Sequence, residues 1–299
     1  MDTVATRLAP ASYWLEGFGR CASEEVLPDE LEQIHAWYQA LLGPYVRKDA
    51  ELVLDIGCGR GRVMRAIAAL APGCCCVGID GNEATLAAAH EALAHQPVRV
   101  ALHRMDIMQE GFGQMLAARY GCFDAITSMF VLHHYTPAVG GAILSELRGL
   151  LAPNGVIVLA EAHDPSNREA ACAERVCAEL AALAGEHPDL LWTETELLEA
   201  CGLGGFGAEE TGLETAPGSP FTPAERAANL QALDRVEACL AAAEAKLAHT
   251  AGAHPLAALR RVVSKMRAHG IARPVRFGPL LAILHAPATA PDHRRNSCR

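Results

Sequence analysis

The chain has 299 residues, 51% of them hydrophobic and 20% charged, with a formal net charge of −10. That balance describes a globular protein able to bury a real core, and no apolar run reaches the roughly 18 residues that a bilayer span requires. Only three lysines occur (Lys48, Lys246, Lys265) and the arginines are scattered among acids, so no basic stripe for nucleic-acid phosphates forms in sequence order and no nucleic-acid partner is expected.

The start, "MDTVATRLAP", has no basic segment leading into an apolar one, so no secretory signal is read and a cytoplasmic location is the expectation. Residues 1–48 form an aromatic-rich helical segment: "ASYWLEGFGR", then a helix in "LEQIHAWYQALLG" with Leu31, Ile34, Tyr38 and Leu41 at helical spacing. A core over 49–216 follows. "ELVLDIG" predicts a strand, "RVMRAIAALA" a helix, "CCVGID" a second strand, and "NEATLAAAHEALAH" a helix capped by Asn82. "VRVALHRMD" is a third strand and "FDAITSMFVLHH" a fourth. The helix "GAILSELRGLLA" is stopped by Pro153-Asn154-Gly155, and "VIVLAEA" is a fifth strand. Helices then follow at "ACAERVCAELAALAG" and "TETELLEACGL", the second capped by Thr193 or Thr195 with Gly202 at its end. Residues 217–275 predict a helical insertion, 276–286 a last strand, and 287–299 a tail too poor in apolar groups to be ordered by packing. Strands alternating with helices imply a Rossmann-like, doubly wound α/β fold. Its sheet is seven-stranded and mostly parallel, with helices on both faces and the insertion before the final strand.

Eleven cysteines in such a chain argue against a disulfide framework. Cys74-Cys75-Cys76 reads first as small apolar residues entering a buried strand. The sharper alternative is a thiol site for a metalloid, perhaps drawing on Cys58 or Cys122, which the spacing does not support. No metal site is expected.

The stretch "LDIGCGRG" places Asp55 two residues before Gly57, with Gly59 and Gly61 following at alternate positions. Glycine permits left-handed backbone and close approach of a ligand. A dinucleotide fold would want a small residue at the sixth position of G-x-G-x-x-G, where Arg62 stands, and a pyrophosphate would be repelled by Asp55. A carboxylate there suits a ligand bearing an amino group. The pattern resembles the first motif of class I S-adenosylmethionine-dependent methyltransferases. "CVGID" ending in Asp80, "HRMDI" with Asp106 and Ile107, "FDAITSMFVLHHY" and "LLAPNGVIVLAE" are similar to that family's later motifs, in order. The resemblance implies a site for S-adenosylmethionine, with S-adenosylhomocysteine as product. Gly57, Cys58 and Gly59 would wrap the methionine part and Asp55 its ammonium. Asp80, with Gly81 and Asn82, would take the ribose, Asp106 and Ile107 the adenine, and Ser128 and Phe130 the inner edge. Read singly, Asp80 is equally a helix cap, Asp106 a loop acid, and Cys58 a packing residue.

Acceptors in open α/β sheets sit beyond the carboxyl ends of the strands, which directs attention to Ser128–Tyr135 and to Glu161, His163 and Asp164. His133 and His134 are the candidate bases because imidazole titrates near neutrality, with Glu161 as a second polar group. "SMFV" replaces the Asn/Asp-Pro-Pro-Tyr/Phe motif of amino-group methylases of nucleobases and glutamine. "FVLHHY" is similar to small-molecule methylases of the quinone-biosynthesis type, so the resemblance implies a metabolite acceptor. Trp14, Phe18, Trp37 and Tyr38 are expected to help cover the cofactor, and the helices of 217–275 to serve as a lid or a homodimer element. A non-catalytic cofactor-binding module in a complex is the remaining alternative.

Overall fold

The computed structural model describes residues 28–96, 98–162, 192–215 and 280–286, with isolated positions at 241, 260 and 264. The expectations for "ASYWLEGFGR", the helix at 171–185, the tail and, apart from those isolated positions, the insertion therefore lie outside the described residues, as do His163 and Asp164.

Seven strands form one sheet: β1 (Leu52–Ile56), β2 (Cys75–Asp80), β3 (Arg99–Arg104), β4 (Phe123–Met129), β5 (Leu151–Ala162), β6 (Thr211–Thr215) and β7 (Leu280–His285). Their spatial order is β3-β2-β1-β4-β5-β7-β6. The first five are parallel, whereas β7 runs antiparallel to both β5 and β6. The order reverses between β1 and β4, and a crevice opens at such a switch point beyond the strand ends.

The described helices are α1 (Pro28–Leu42), α2 (Arg62–Leu70), α3 (Glu83–Leu93), α4 (Phe112–Tyr120), α5 (Pro137–Arg148) and α6 (Glu194–Leu203), with a 3₁₀ turn at Leu132–His134. Strand side chains alternate between the two faces. Leu52, Leu54, Ile56, Cys75, Val77 and Ile79 face a layer containing Phe112, Leu116, Leu144, Leu147 and Leu197 from α4, α5 and α6. Val53, Cys74 and Cys76 face the opposite layer, with Leu41, Met64, Ile67 and Leu93 from α1, α2 and α3. Both faces are thus covered, which is why β1 and β2 read as continuous apolar runs.

The sequence-predicted elements between 51 and 162 are present, with two differences at the fourth crossover. Helix α5 ends at Arg148 rather than running to Ala152, because Leu151 already pairs with Phe123 at the start of β4. The turn Pro153-Asn154-Gly155 then falls inside β5, where the partner of β4 jumps from Leu151 to Val156 and Asn154 takes φ 63°. Helix α4 has no counterpart in the sequence reading. It buries Phe112, Leu116 and Tyr120 at four-residue spacing. Strand β6 was likewise not located, since it forms only as the edge partner of β7. Helix α6 carries a capping box of Thr193 and Glu196, which settles the choice between Thr193 and Thr195, and it ends at Gly204 rather than Gly202.

Cys58, Cys74, Cys76 and Cys201 are buried free thiols, and Cys122 is buried as well. Cys75 is disulfide-bonded.

Candidate functional site

A cleft of about 740 Å³ lies beyond the carboxyl ends of β1, β2, β3 and β4, within the range of small-molecule sites. The loop leaving β1 forms its floor. Gly57, Gly59 and Gly61 take φ of 62°, 50° and 78°, so all three alternate glycines occupy left-handed backbone. At Gly57 the reason is also spatial: a Cβ would come within 2.4 Å of Val131 Cγ2, so the turn after β4 is seated on the loop.

Asp55 ends β1 beneath this loop, only 1% exposed. Its Oδ1 accepts the Thr127 hydroxyl at 2.7 Å, whereas its Oδ2 has no hydrogen-bond donor. Burial, opposed by the Thr127 bond and reinforced by the Asp80 charge, pushes its carboxyl up to about 7. Asp80 ends β2 on the cleft wall. Its Oδ2 accepts Gly59 N at 2.8 Å, and its Oδ1 accepts Asn82 N at 2.8 Å and Thr85 Oγ1 at 3.2 Å. It therefore ties the glycine loop to the start of α3. A carboxylate has about four lone-pair positions, so Oδ2 retains acceptor capacity. Asn82 caps α3 by accepting Ala84 N and Thr85 N, the role expected of it, and it also lines the cleft with Gly81. Asp106 and Ile107 follow β3 on the same wall, with Asp106 Oδ1 accepting Met108 N at 2.8 Å.

The remaining wall comes from the end of β4 and the turn after it: Met129, Phe130, Val131, His134 and Tyr135. Phe130 has φ 61° and stays 41% exposed. His134 faces the cleft, whereas His133, Ser128 and Glu161 stand behind the wall. There Glu161 accepts Ser128 Oγ and pairs with His133 Nδ1, each at 3.1 Å. Burial pushes the Tyr135 phenol far up, with Asp106 and Asp80 adding to the effect, so it stays neutral. Tyr38 of α1 reaches the cleft, while Trp37 beside it is buried in the core.

Of the sequence-predicted cofactor residues, Gly57, Cys58, Gly59, Asp80, Gly81, Asn82, Asp106, Ile107 and Phe130 line one cleft, and Asp55 and Ser128 lie behind it. Thr127, the partner of Asp55, was missed, and so was Met115 on the wall. The first is adjacent only through the β1–β4 register (Asp55 opposite Thr127), and the second sits on the unforeseen helix α4. Cys58 packs in the same layer as Cys74 and Cys76. Cys74 and Cys76 pack on one face of the sheet and Cys75 on the other, and burial pushes the Cys58 and Cys76 thiols up, away from the thiolate a metalloid needs. Among the described residues no group of three or more His, Cys, Asp or Glu could hold a metal ion, and no helix is long and apolar enough to cross a membrane.

The mostly parallel sheet has its crevice at the β1/β4 switch point of a Rossmann-like fold, with left-handed glycines on its floor and the carboxyls of Asp55 and Asp80 near the ends of β1 and β2. Residues 53–155 match the methyltransferase domain family, and this match supports the resemblance to class I S-adenosylmethionine-dependent methyltransferases for that part of the chain. The chain is similar to an uncharacterised methyltransferase of Mycobacterium tuberculosis, 34% identical over 131 residues that make up 44% of this chain and 60% of the relative. A second relative, an uncharacterised methyltransferase of Synechocystis, is 30% identical over 115 residues, 38% of this chain and 49% of its own. The chain thus spans about half to three-fifths of the length of these relatives. Among solved structures, a candidate methyltransferase from Bacillus halodurans shares the fold with a TM-score of 0.51 at 18% identity, over 84% of this chain and 99% of that one.

Proposed function

We propose that the cleft binds S-adenosylmethionine and that the chain transfers its methyl group to a small-molecule acceptor by in-line displacement. The observation that carries this reading is convergence. Gly57, Gly59, Asp80, Asp106 and Ile107 come from the ends of three adjacent strands and line one cleft. The side chains fit such a nucleoside: a buried carboxylate oxygen without a donor lies at the end of β1, two carboxylates stand on the wall, and Ile79, Ile107 and Met129 give it apolar stretches. Asp55 would hold the ammonium directly or through water, Asp80 the ribose hydroxyls, and Asp106 with Ile107 the adenine edge.

When bound, the sulfonium supplies an electrophilic methyl group. The chain's own contribution is alignment and exclusion of water, which together supply several kcal/mol of such a barrier. His134 is the wall group placed to take a proton from an O–H, N–H or S–H acceptor. His133, set behind it, does not reach the wall. The turn after β4 reads "SMFVLHHY" and lacks the motif of nucleobase and glutamine amino-group methylases, which supports a metabolite as acceptor. A cytoplasmic location agrees with this reading, and the insertion at 217–275 is the segment available to shape the acceptor side or a homodimer contact.

Isothermal titration tests the reading. S-adenosylmethionine and S-adenosylhomocysteine should bind and NAD should not. Heat from NAD with none from either sulfur nucleoside would overturn it.

A further inference from the structure

Glu161 is a buried carboxyl that does not face the cleft, yet it organises one side of it. It is 2% exposed near the end of β5. Its Oε1 accepts Ser128 Oγ and Val131 N, each at 3.1 Å, and its Oε2 accepts His133 N at 3.2 Å and pairs with His133 Nδ1 at 3.1 Å. Backbone N–H groups can only donate, and one of them points at each oxygen, so both oxygens are used as acceptors; the ionised carboxylate completes the set by accepting a hydrogen from Nδ1 of His133. Between these anchors Phe130 is held at φ 61°, where L side chains are rarely found, with its N–H donating to Ala160 O at 2.9 Å. The turn so held puts Phe130 and His134 on the cleft wall and packs Val131 where a Cβ on Gly57 would come within 2.4 Å. At its far end Trp192 Nε1 donates to Tyr135 O at 2.9 Å. Burying a carboxylate is costly unless donors compensate it. Four donors from a single turn mark a group whose task is the shape of that turn.

We propose that Glu161 is a positioning residue: its four hydrogen bonds lock the turn 128–134 into the left-handed shape that presents Phe130 and His134 to the cleft and seats Val131 on the glycine loop. The functional readout rests on the cleft being the S-adenosylmethionine site; the structural readout does not. Glu161→Gln keeps the volume, but in either orientation its amide sets an NH2 donor against a backbone N–H, that of Val131 or that of His133, so it should release the turn. Glu146→Gln is the control. Glu146 also accepts two backbone N–H groups, of Gly111 and Gly113 at 2.9 and 2.7 Å, and does not line the cleft.

Two measurements decide. By isothermal titration, Glu161→Gln should weaken S-adenosylhomocysteine binding by about tenfold or more, the size expected when a positioned contact is lost, while Glu146→Gln stays within about threefold. Nitrogen-15 NMR of the unmodified protein should show neutral His133 with its hydrogen on Nδ1, and amide exchange of Val131 and His133 should accelerate in Glu161→Gln. Unchanged nucleoside affinity in Glu161→Gln, or equal losses in both variants, would overturn the proposal. If the unmodified protein binds no nucleoside, the cofactor reading fails and the NMR arm still tests the turn. Should Glu161→Gln not fold, a hydrogen on Nε2 rather than Nδ1 of His133 in the unmodified protein rejects the lock, and one on Nδ1 supports it.

Discussion

Replacing Asp55 with asparagine isolates what burial does to the group beneath the glycine loop. Asp55 is fully enclosed, and its carboxyl rises from an ordinary 3.8 to about 7. At ~1.4 kcal/mol per tenfold, that displacement is worth ~4 kcal/mol against ionisation. The sign follows from linkage. Between about pH 4 and about pH 7 the unfolded chain has lost this proton and the folded chain still holds it, so this group lowers stability as pH rises through that window; above about 7 both are ionised and the loss levels off. Asparagine keeps the shape and can still accept the Thr127 hydroxyl, but it does not titrate. Its amide nitrogen faces the position where Oδ2 had no donor, a cost of roughly 1–3 kcal/mol that is constant with pH. The expectation therefore concerns the slope. The stability of Asp55→Asn relative to the unmodified protein should increase by ~4 kcal/mol between about pH 4 and about pH 8, measured by urea denaturation. Saturating S-adenosylhomocysteine should flatten the unmodified protein's pH dependence, because a nearby ammonium offsets the burial penalty. A difference between the two proteins that does not change with pH would refute the reasoning: Asp55 would then ionise as an ordinary carboxyl.

Gly57→Ala should cost ~2–4 kcal/mol in chemical denaturation, because the left-handed φ of 62° and the 2.4 Å approach to Val131 act together. Adding Val131→Ala should recover the steric part and leave the backbone part. Asp80→Ala removes the acceptor of Gly59 N and Asn82 N as well as the group assigned to the ribose, and titration should show S-adenosylhomocysteine binding weakened by at least about tenfold. Thr193→Ala dismantles the capping box of α6 and should cost about 1 kcal/mol of stability, with nucleoside affinity unchanged because α6 does not line the cleft.

The parallel part of the sheet was legible in the order of residues because alternating strand and helix patterns are local. Gly57, Asp80 and Asp106, which the family resemblance singled out, follow or end successive strands and line one cleft, whereas Asp55 lies behind it. Asn82 could be recognised as a cap from its position before α3. Helix α4 was missed because glycines at 111 and 113 dilute its pattern, and β6 because an edge strand acquires its identity from its partner. Both depend on packing rather than on local preference.

Sequence by itself determined that Asp55 stands two residues before a glycine loop; only the folded sheet decided that Thr127 lies opposite it and that one of its oxygens is left without a donor. The same division holds at Glu161. As a letter near the end of a strand it could be a base, a substrate contact or a loop tether. Thirty-three residues separate it from Ser128 along the chain, and only the pairing of β4 with β5 brings its two oxygens under the turn that follows β4. Patterns of spacing report which residues leave a strand together. Which acceptor meets which donor across the sheet is fixed by register, and register is a property of the whole core.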